Sequence, residues 1–396
     1  MRSSAHARCR ARLTALAADT VVLPAIERAG RERGWWPPER RWVRTYGRFD
    51  PGHEPYVILV FETAQAPQVL VRVEVFDKQP GARMTDHWSA RDETVGWLRL
   101  SRFTSDPFLP GLAALLTDNG RPTILRYRPS RRCTIRYDRG DDVFYAKLYA
   151  SNDGARSHLD GESLWSAAMR GELGFRVARP GRWDPHTRTR WQYQVDGSPV
   201  LAALGGSEGV QVAHRIGRAA GSLPGSTIEP RETFDPSIQF AQTVGYAADL
   251  VALVPRVADT VSTLLEKLAF RRRAPGRLRL RAIHGALLAK HWLDDGATLG
   301  LVSFEHFAWG DPELDAASFL GALECEPALE APVERLAEAF LAGYESVAGP
   351  LDRSLLGIYR GHKRLAKALR SARAVQPDGD AHAERDLARV NECLEV

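Results

Sequence analysis

A single lysine stands inside an apolar segment at residues 143–149. The segment reads Val-Phe-Tyr-Ala-Lys-Leu-Tyr, which predicts a strand in which Lys147 is the only charged residue. A charge in such a strand is costly unless the side chain reaches an anion. Glu162, in the helix predicted to follow, is at a suitable distance along the chain to be that partner. The competing interpretation places Lys147 at a sheet edge with its ammonium group in water.

A second set of polar residues surrounds a predicted loop and strand at residues 283–304. His284 and Gly285 begin the loop, and Glu305 follows the strand. The chain then continues Trp-Gly-Asp-Pro-Glu-Leu-Asp at residues 309–315, which includes Asp311 and Asp315. This order of a polar loop, an apolar strand and an acidic segment is the most specific pattern in the chain.

These two segments resemble the paired signatures of the aminoglycoside phosphotransferase and choline-kinase-like families. The family patterns read H-G-D-x-x-x-x-N, then I-D-F-D or I-D-F-E, then G-D-P-x-x-D. The resemblance extends back to about Pro122, through an R-Y-x-P-x-R-R run, and covers about 250 residues. It implies an α+β, bilobal, protein-kinase-like fold of the aminoglycoside phosphotransferase type, preceded by an extra N-terminal α+β module. It also implies structural roles for His284, Asp311 and Asp315, which would brace the loop and cap the next helix.

The departures from the family patterns fall on the positions that carry phosphoryl transfer. Ala286 stands where the family has the Asp that orients the acceptor hydroxyl, His291 where it has the magnesium-binding Asn, and Ser303 where it has the principal magnesium Asp. Alanine has no proton acceptor, serine is a weak neutral ligand, and magnesium prefers hard oxygen donors to histidine. Glu305 remains as a weak metal carboxylate, and Lys147 as the phosphate contact. The chain is therefore predicted to require no cofactor and to bind ATP weakly or without a metal.

Three arginines lie in the turn of the first predicted hairpin of this region. Arg128, Arg131 and Arg132 stand where glycines would let backbone amides approach phosphate. Guanidinium groups bind phosphate or carboxylate through paired hydrogen bonds, which favours an anion site facing the cleft and, for Arg128, Arg131 and Arg132, a role in cofactor binding. The alternative is a set of solvated turn residues.

A transition-metal site is a weaker hypothesis for the same cleft. His284, His291, Glu305 and His306 offer the imidazole and carboxylate groups that zinc prefers. Residues 305 and 306 are predicted to point to opposite faces of a strand, which argues against such a site.

Basic residues recur on one predicted helix at residues 355–373. Arg360, Lys363, Arg364 and Lys367 alternate with leucines, so the helix is basic and amphipathic. In the families resembled, the C-terminal helices border the acceptor pocket. The helix is therefore expected to contact an acidic ligand or peptide, or else to present a solvated basic face.

Hydrophobic periodicity divides the chain into three predicted regions. Residues 1–118 form the N-terminal α+β module, residues 119–205 a kinase-like N-lobe and residues 206–396 a helical C-lobe. The predicted helices cover residues 5–28, 105–116, 152–170, 210–223, 240–270, 313–323, 331–347 and 355–373, and the predicted strands cover residues 42–49, 56–62, 69–76, 123–128, 133–138, 143–149 and 191–195. Trp35, Trp36 and Trp42 are predicted to pack in the core of the module, or else to form an exposed patch for a partner.

Composition and charge narrow the partners. The 396 residues include 54 Lys and Arg against 49 Asp and Glu, and the net charge of +5 is spread along the chain, so no nucleic-acid partner is indicated. The four cysteines form no C-x-x-C pair, which fits a reduced cytoplasm. No run approaches the roughly 20 apolar residues of a membrane span, so no membrane partner is expected. The Arg-rich, Lys-poor usage is typical of a GC-rich bacterial genome.

Three functional hypotheses arise from these patterns. The first is a pseudokinase that serves as a binding, scaffold or substrate-recruiting subunit for a protein, a peptide or an anionic small molecule. The second is a repurposed subunit of a lanthipeptide-type complex for peptide natural-product biosynthesis, acting in leader binding or cyclisation, because such assemblies contain proteins that resemble this family. The third is an active small-molecule phosphotransferase in which Glu305 and a water replace the missing ligands.

Overall fold

The computed structural model describes residues 12–36, 40–49, 57–64, 69–81, 86–117, 122–140, 142–272, 280–324, 326, 329 and 333–394. The helices are α1 (residues 12–17), α2 (Val22–Arg33), α3 (Leu112–Leu116), α4 (Asp153–Met169), α5 (Leu201–Gly205), α6 (Gly209–Gly221), α7 (Pro236–Leu253), α8 (Ala258–Arg272), α9 (Pro312–Leu323), α10 (Val333–Ala348), α11 (Arg353–Arg373) and α12 (Gly379–Leu394). The strands are β1 (Trp42–Phe49), β2 (Val57–Thr63), β3 (Leu70–Phe76), β4 (Trp88–Asp92), β5 (Gly96–Arg102), β6 (Thr123–Arg128), β7 (Arg132–Arg139), β8 (Asp142–Tyr149), β9 (Pro180–Asp184), β10 (Thr189–Tyr193), β11 (Ser198–Pro199), β12 (Arg281–Ile283), β13 (Trp292–Asp294), β14 (Leu299–Leu301) and β15 (Ala308–Gly310).

The N-terminal module is a five-stranded antiparallel sheet that packs against helix α2. The strand order is β1-β2-β3-β5-β4. Apolar residues of β2, β3 and β5 share one buried cluster with Val22 and Ile26 of α2. Trp36 belongs to this cluster and lies over Gly30, where a Cβ atom would come within 2.0 Å of the indole nitrogen. Trp35 and Trp42 pack against the same cluster, so the core interpretation of the tryptophans is confirmed.

A buried polar network joins the module to the next sheet. Arg72 of β3 forms ion pairs with Glu74 at 2.6 Å and with Asp106 at 3.0 Å. Asp106 also accepts hydrogen bonds from the Tyr127 hydroxyl and from the backbone N–H of Ser130, both at 2.8 Å. Because these contacts are directional, the network fixes the turn between β6 and β7 relative to the module.

The N-lobe is a second antiparallel sheet in the order β6-β7-β8-β10-β9. Helix α4 contacts β8, β9 and β10, and its buried residues Ser157, Gly161 and Leu164 recur at helical spacing. An apolar cluster that includes Phe103 of the module and Tyr137 of β7 fills the space between the two sheets. The module and the N-lobe therefore share a core.

The C-lobe consists of helices packed around two small sheets. Strands β11, β13 and β14 form one sheet, and β12 pairs with β15 in the other. Helices α6 and α10 approach closely where each has a glycine. A Cβ atom at Gly217 would come within 2.1 Å of the Phe340 carbonyl oxygen, and one at Gly343 within 2.2 Å of the His214 carbonyl oxygen. None of the described helices combines the length and apolarity that crossing a bilayer requires.

The elements differ from the sequence prediction at a few places that have local causes. The predicted helix 240–270 is two helices, α7 and α8, because Val254 leaves the helical region before Pro255, which has no backbone N–H. The predicted opening helix is broken at Asp19, whose φ is +57°, and its part before residue 12 lies outside the described residues. Strands β4, β5 and β9 and helix α12 are absent from the sequence prediction.

Candidate functional site

The cleft between the two lobes is bridged by Lys147 and Glu305. Lys147 lies in β8, and Glu305 follows β14 in the C-lobe. The Lys147 Nζ atom is 2.6 Å from Glu305 Oε1, and only 13% and 11% of the two side chains are exposed. The predicted strand at residues 143–149 is confirmed, and the edge interpretation is wrong because β8 lies between β7 and β10.

Glu162 is not the partner of Lys147, contrary to the sequence prediction. It lies on α4, but 52% of its side chain is exposed, and its Oε1 atom lies 3.5 Å from Nε2 of His158, one turn earlier on the same helix. The face of α4 turned toward the sheet carries Ser157 and Gly161. The next residue after Gly161 is about 100° further around the helix, which turns Glu162 away from the cleft.

A second cation, Arg190, lies beside Lys147. Arg190 of β10 is in register with Lys147 of β8, and directly opposite residues share one face of a sheet. Arg190 donates to Ser157 Oγ at 2.7 Å, and a Cβ atom at Gly161 would come within 2.6 Å of its guanidinium. Sequence reasoning missed Arg190. The available signal was the pair Ser157 and Gly161, two small residues one turn apart on the inner face of α4.

Glu305 is surrounded by cations. Besides Lys147, the Arg132 Nη1 atom lies 3.9 Å from Glu305 Oε2. Burial opposes ionisation of Glu305, but Lys147, Arg132 and Arg190 outweigh it and hold the pKa of Glu305 well below its ordinary value. Burial lowers the pKa of Lys147, because Glu305 offsets it only in part while Arg190 and Arg132 add repulsion. The cluster places three cations, Lys147, Arg132 and Arg190, beside one carboxylate, so it holds surplus positive charge.

The loop that begins at His284 is held by Asp315. The two Asp315 carboxylate oxygens accept hydrogen bonds from the backbone N–H groups of His284 at 2.6 Å and Gly285 at 2.8 Å. Burial lowers the pKa of His284 to about 4, so its ring is neutral at pH 7, and its Nε2 lies 3.1 Å from the Val302 carbonyl oxygen. The bracing roles expected for His284 and Asp315 are present in the structure.

Asp311 stands at the N-cap of α9, but its side chain makes no capping hydrogen bond. Its carboxylate instead accepts from the Tyr359 hydroxyl of α11 at 2.7 Å. The next acidic residue, Glu313, accepts from the backbone N–H of Asp352 at 2.9 Å. The acidic segment is thus structural, through contacts with the start and middle of α11 rather than through capping.

The three departures from the family patterns lie around this loop. Ala286 follows Gly285 and contributes only a methyl group. Burial lowers the pKa of His291 to about 3, so its ring is neutral, and the ring stacks near that of His284 with centroids 5.5 Å apart. Ser303 has a φ of +75°, a backbone region that non-glycine residues rarely adopt. None of these side chains brings a negative charge to the cleft.

This arrangement does not fit magnesium bound to a triphosphate. The carboxylate expected to hold the ion, Glu305, is already paired with Lys147, and Ser303 and Ala286 supply no charge. Where the structure describes the chain, no three His, Cys, Asp or Glu side chains group as metal ligands. A zinc site is disfavoured by the same contacts, because His284 Nε2 faces the Val302 carbonyl.

The arginines at the β6–β7 turn line two neighbouring sites, the cleft and a cavity beside it. Arg132 faces Glu305 in the cleft. Arg128 and Arg131 line a neighbouring cavity of about 590 Å³, between the N-terminal module, β6 and the end of α11. Arg128 and Arg132 are register partners across the hairpin, so the cavity adjoins the cleft on the same face of the sheet.

The basic residues of α11 are largely paired within the molecule. Arg360 and Arg364 both form ion pairs with Glu324, and Lys367 pairs with Asp386 at 3.0 Å. Arg364 is buried. Since these side chains are paired within the molecule, the interpretation of a solvated basic face is wrong. Their partners lie in other segments of the chain, so the pairing is not visible in the sequence of α11.

Lys363 differs from its neighbours on α11. Burial lowers its pKa to about 8, because Asp315 offsets the burial only in part and Arg370 repels the ammonium group. With Lys290, Lys363 lines a cavity of about 480 Å³ beside α11.

Comparison with known proteins identifies the fold. No protein-family model and no curated sequence matches the chain. The solved structure of the amicoumacin kinase hAmiN in complex with AMP-PNP, Ca²⁺ and Ami is similar, with a TM-score of 0.52 and 13% identity over 69% of this chain and 89% of that one. A choline kinase from Cryptosporidium parvum Iowa II has a TM-score of 0.50 and 13% identity over 72% of this chain and 92% of its own. An aminoglycoside-3'-phosphotransferase of type VIII reaches 23% identity with a TM-score of 0.48, covering 65% of this chain and 99% of that one.

The predicted α+β, kinase-like fold is therefore confirmed, and at the level of the fold so is the resemblance to choline kinases and related small-molecule kinases.

Proposed function

We propose that this chain is a kinase-fold binding protein that does not transfer phosphoryl groups. The observation that carries the proposal is the 2.6 Å ion pair between Lys147 and Glu305. In the families resembled, the strand lysine contacts nucleotide phosphates and a carboxylate at the position of Glu305 helps to hold the metal. Here the two groups neutralise each other.

The energetics of the cleft support the same conclusion. Lys147 and Glu305 would have to separate in a shielded site before one could bind phosphate and the other a metal, and that separation costs free energy. A magnesium–triphosphate group would have to offset that cost without the carboxylates that Ala286 and Ser303 replace. An anion without a metal is better matched to the surplus charge of Lys147, Arg132 and Arg190. The proposed ligand is therefore acidic, carried by a protein, a peptide or a small molecule, and ATP is a weak, metal-independent ligand at most.

The test measures ADP release from ATP and magnesium by the wild type, with hydroxyl and amine acceptors. We expect no release above the rate without protein. The variant Ala286→Asp/Ser303→Asp restores two carboxylates and is expected to gain magnesium-dependent nucleotide binding. Ala297→Asp, which adds an exposed carboxylate outside the cleft, is the matched control and should gain none.

Acceptor-dependent ADP release by the wild type that is lost in Glu305→Gln would contradict the proposal. That result would establish the active phosphotransferase hypothesis instead.

A further inference from the structure

A basic cavity that adjoins the cleft lies where the N-terminal module meets the N-lobe. The cavity of about 590 Å³ is lined by β1, β6 and the C-terminal end of α11. Glu62 is the one acidic residue among its described lining residues. Six arginines line it: Arg48, Arg126, Arg128, Arg131, Arg370 and Arg373.

Most of these arginines lack a counter-ion. Four of the six, Arg48, Arg126, Arg128 and Arg131, form no ion pair with any described carboxylate, whereas Arg373 is paired with Asp249. Burial together with repulsion from Arg126 and its neighbours lowers the pKa of Arg128 to about 10. Close, partly shielded guanidinium groups are stabilised by a carboxylate or phosphate ligand.

The cavity is bounded by two sheet edges. Strands β1 and β6 are each the edge strand of their sheet, and each has a register shift within the cavity wall. The bridge between Arg48 and Ala374 closes one end of β1. Edge strands present unpaired N–H and C=O groups, which an extended chain can use.

The spacing of the charges suits an extended chain. Arg126 and Arg128 are two residues apart on one strand face, a distance of about 6.6–6.8 Å, which equals the spacing of alternate residues in a strand. Leu125 and Tyr246 also line the cavity, with 51% and 37% of their surfaces exposed. Exposed apolar groups that line the same cavity as the arginines favour a ligand with both carboxylate and apolar side chains.

We propose that this cavity binds an extended acidic peptide segment in which carboxylate and apolar side chains alternate. The inference rests on the proposed function, since it names a peptide as the partner and adds a docking site beside the cleft. The guanidinium groups come from three elements, so a chain that runs along the cavity reaches more of them than a compact anion does. The ion pairs of Arg72 and Asp106 hold the β6–β7 turn against the module, so the site is formed before the ligand arrives.

The experiment measures fluorescence anisotropy of a short labelled peptide of alternating Asp and Leu, without nucleotide, against the full chain. A peptide with Asn in place of Asp is the probe control. Arg126→Gln/Arg128→Gln is expected to weaken binding by about tenfold or more. Arg218→Gln is the matched control, because Arg218 is an exposed arginine of α6 outside the cavity, and it should bind like the wild type.

A second variant tests the site independently, in case the double arginine variant does not fold. Leu125→Ser removes an exposed apolar contact and is expected to weaken binding by a few fold, with an unchanged thermal unfolding curve. Equal binding of the Asn peptide, equal loss in Arg218→Gln, or displacement of the acidic peptide by pyrophosphate at lower concentration than by unlabelled peptide would each overturn the proposal.

The two proposals fail separately. ADP release by the wild type would contradict the absence of phosphoryl transfer and leave the peptide result intact. No binding of the acidic peptide, with no ADP release, would overturn the docking site alone.

Discussion

Lys147 and Glu305 depend on each other to different degrees. Glu305 also has Arg132 and Arg190 as nearby cations, whereas Glu305 is the anion that offsets the burial of Lys147. Loss of Glu305 would leave three cations together in a shielded cluster. Loss of Lys147 would leave a carboxylate that still has two.

The substitution Glu305→Gln is therefore expected to lower the free energy of unfolding by about 3–5 kcal/mol, and Lys147→Met by much less. Urea denaturation of both variants measures the difference. Glu162→Gln, at an exposed carboxylate of the neighbouring helix, is the control and should change little. A larger loss in Lys147→Met than in Glu305→Gln would show that the cluster does not hold surplus positive charge.

Lys363 gives the protein a distinct dependence on pH. Its folded-state pKa is about 8, below the ordinary value of 10.5, because of burial. Between these values the unfolded chain retains the proton and the folded chain does not, so stability increases with pH. The free energy of unfolding of the wild type, relative to Lys363→Met, is expected to rise from pH 8 to pH 10.5. Chemical denaturation at several pH values measures it, and a constant difference would contradict the assignment.

The sequence was sufficient to predict some residue roles but not their pairing. The apolar surroundings of Lys147 predict a strand lysine that needs an anion. The choice between Glu162 and Glu305 depends on the rotation of α4 and on the approach of the C-lobe. Arg190 was missed for the same reason, because its partners Ser157 and Lys147 come from other elements.

At the scale of elements, helices α6 and α10 are in close backbone contact. Gly217 and Gly343 lie at this contact, and each has a backbone carbonyl oxygen of the facing helix where a Cβ atom would be. Backbone atoms of packed helices cannot yield as a flexible side chain can. The small residues therefore set the distance between the two helices.

Gly217→Ala is expected to destabilise the fold by about 1–3 kcal/mol or more, through overpacking. Gly245→Ala is the matched control, because Gly245 lies within α7 with open space at its Cβ position. That control should be neutral or stabilising by about 0.5–1 kcal/mol, from helix propensity. Thermal or urea unfolding distinguishes them, and equal effects would show that the contact is loose.

The elements that the sequence predicts best are those with regular periodicity. The bounds predicted for β1 and β6 are those of the structure. The extent of α11 along the chain could be predicted, but its packing could not, since its basic residues look solvated in the sequence. Glu324 and Asp386, which neutralise them, belong to other segments of the chain.

At the scale of the whole molecule, the N-terminal module is joined to the N-lobe by a common core and a buried ion network. Strand β3 is apolar except for Arg72 and Glu74, and Arg72 also pairs with Asp106, which precedes α3. No local pattern indicates that Arg72 and Asp106 meet, so the sequence predicts the module but not its attachment. The attachment matters because it forms one wall of the proposed peptide site.

We propose that the Lys147–Glu305 ion pair stands where a kinase of this fold would hold magnesium and nucleotide. Calorimetric titration of ATP into the wild type, once with magnesium and once with a chelator, tests it most directly. We predict weak binding that magnesium does not strengthen, because magnesium neutralises the phosphates that the surplus cations attract. Binding of ATP that is tight only in the presence of magnesium would contradict the account.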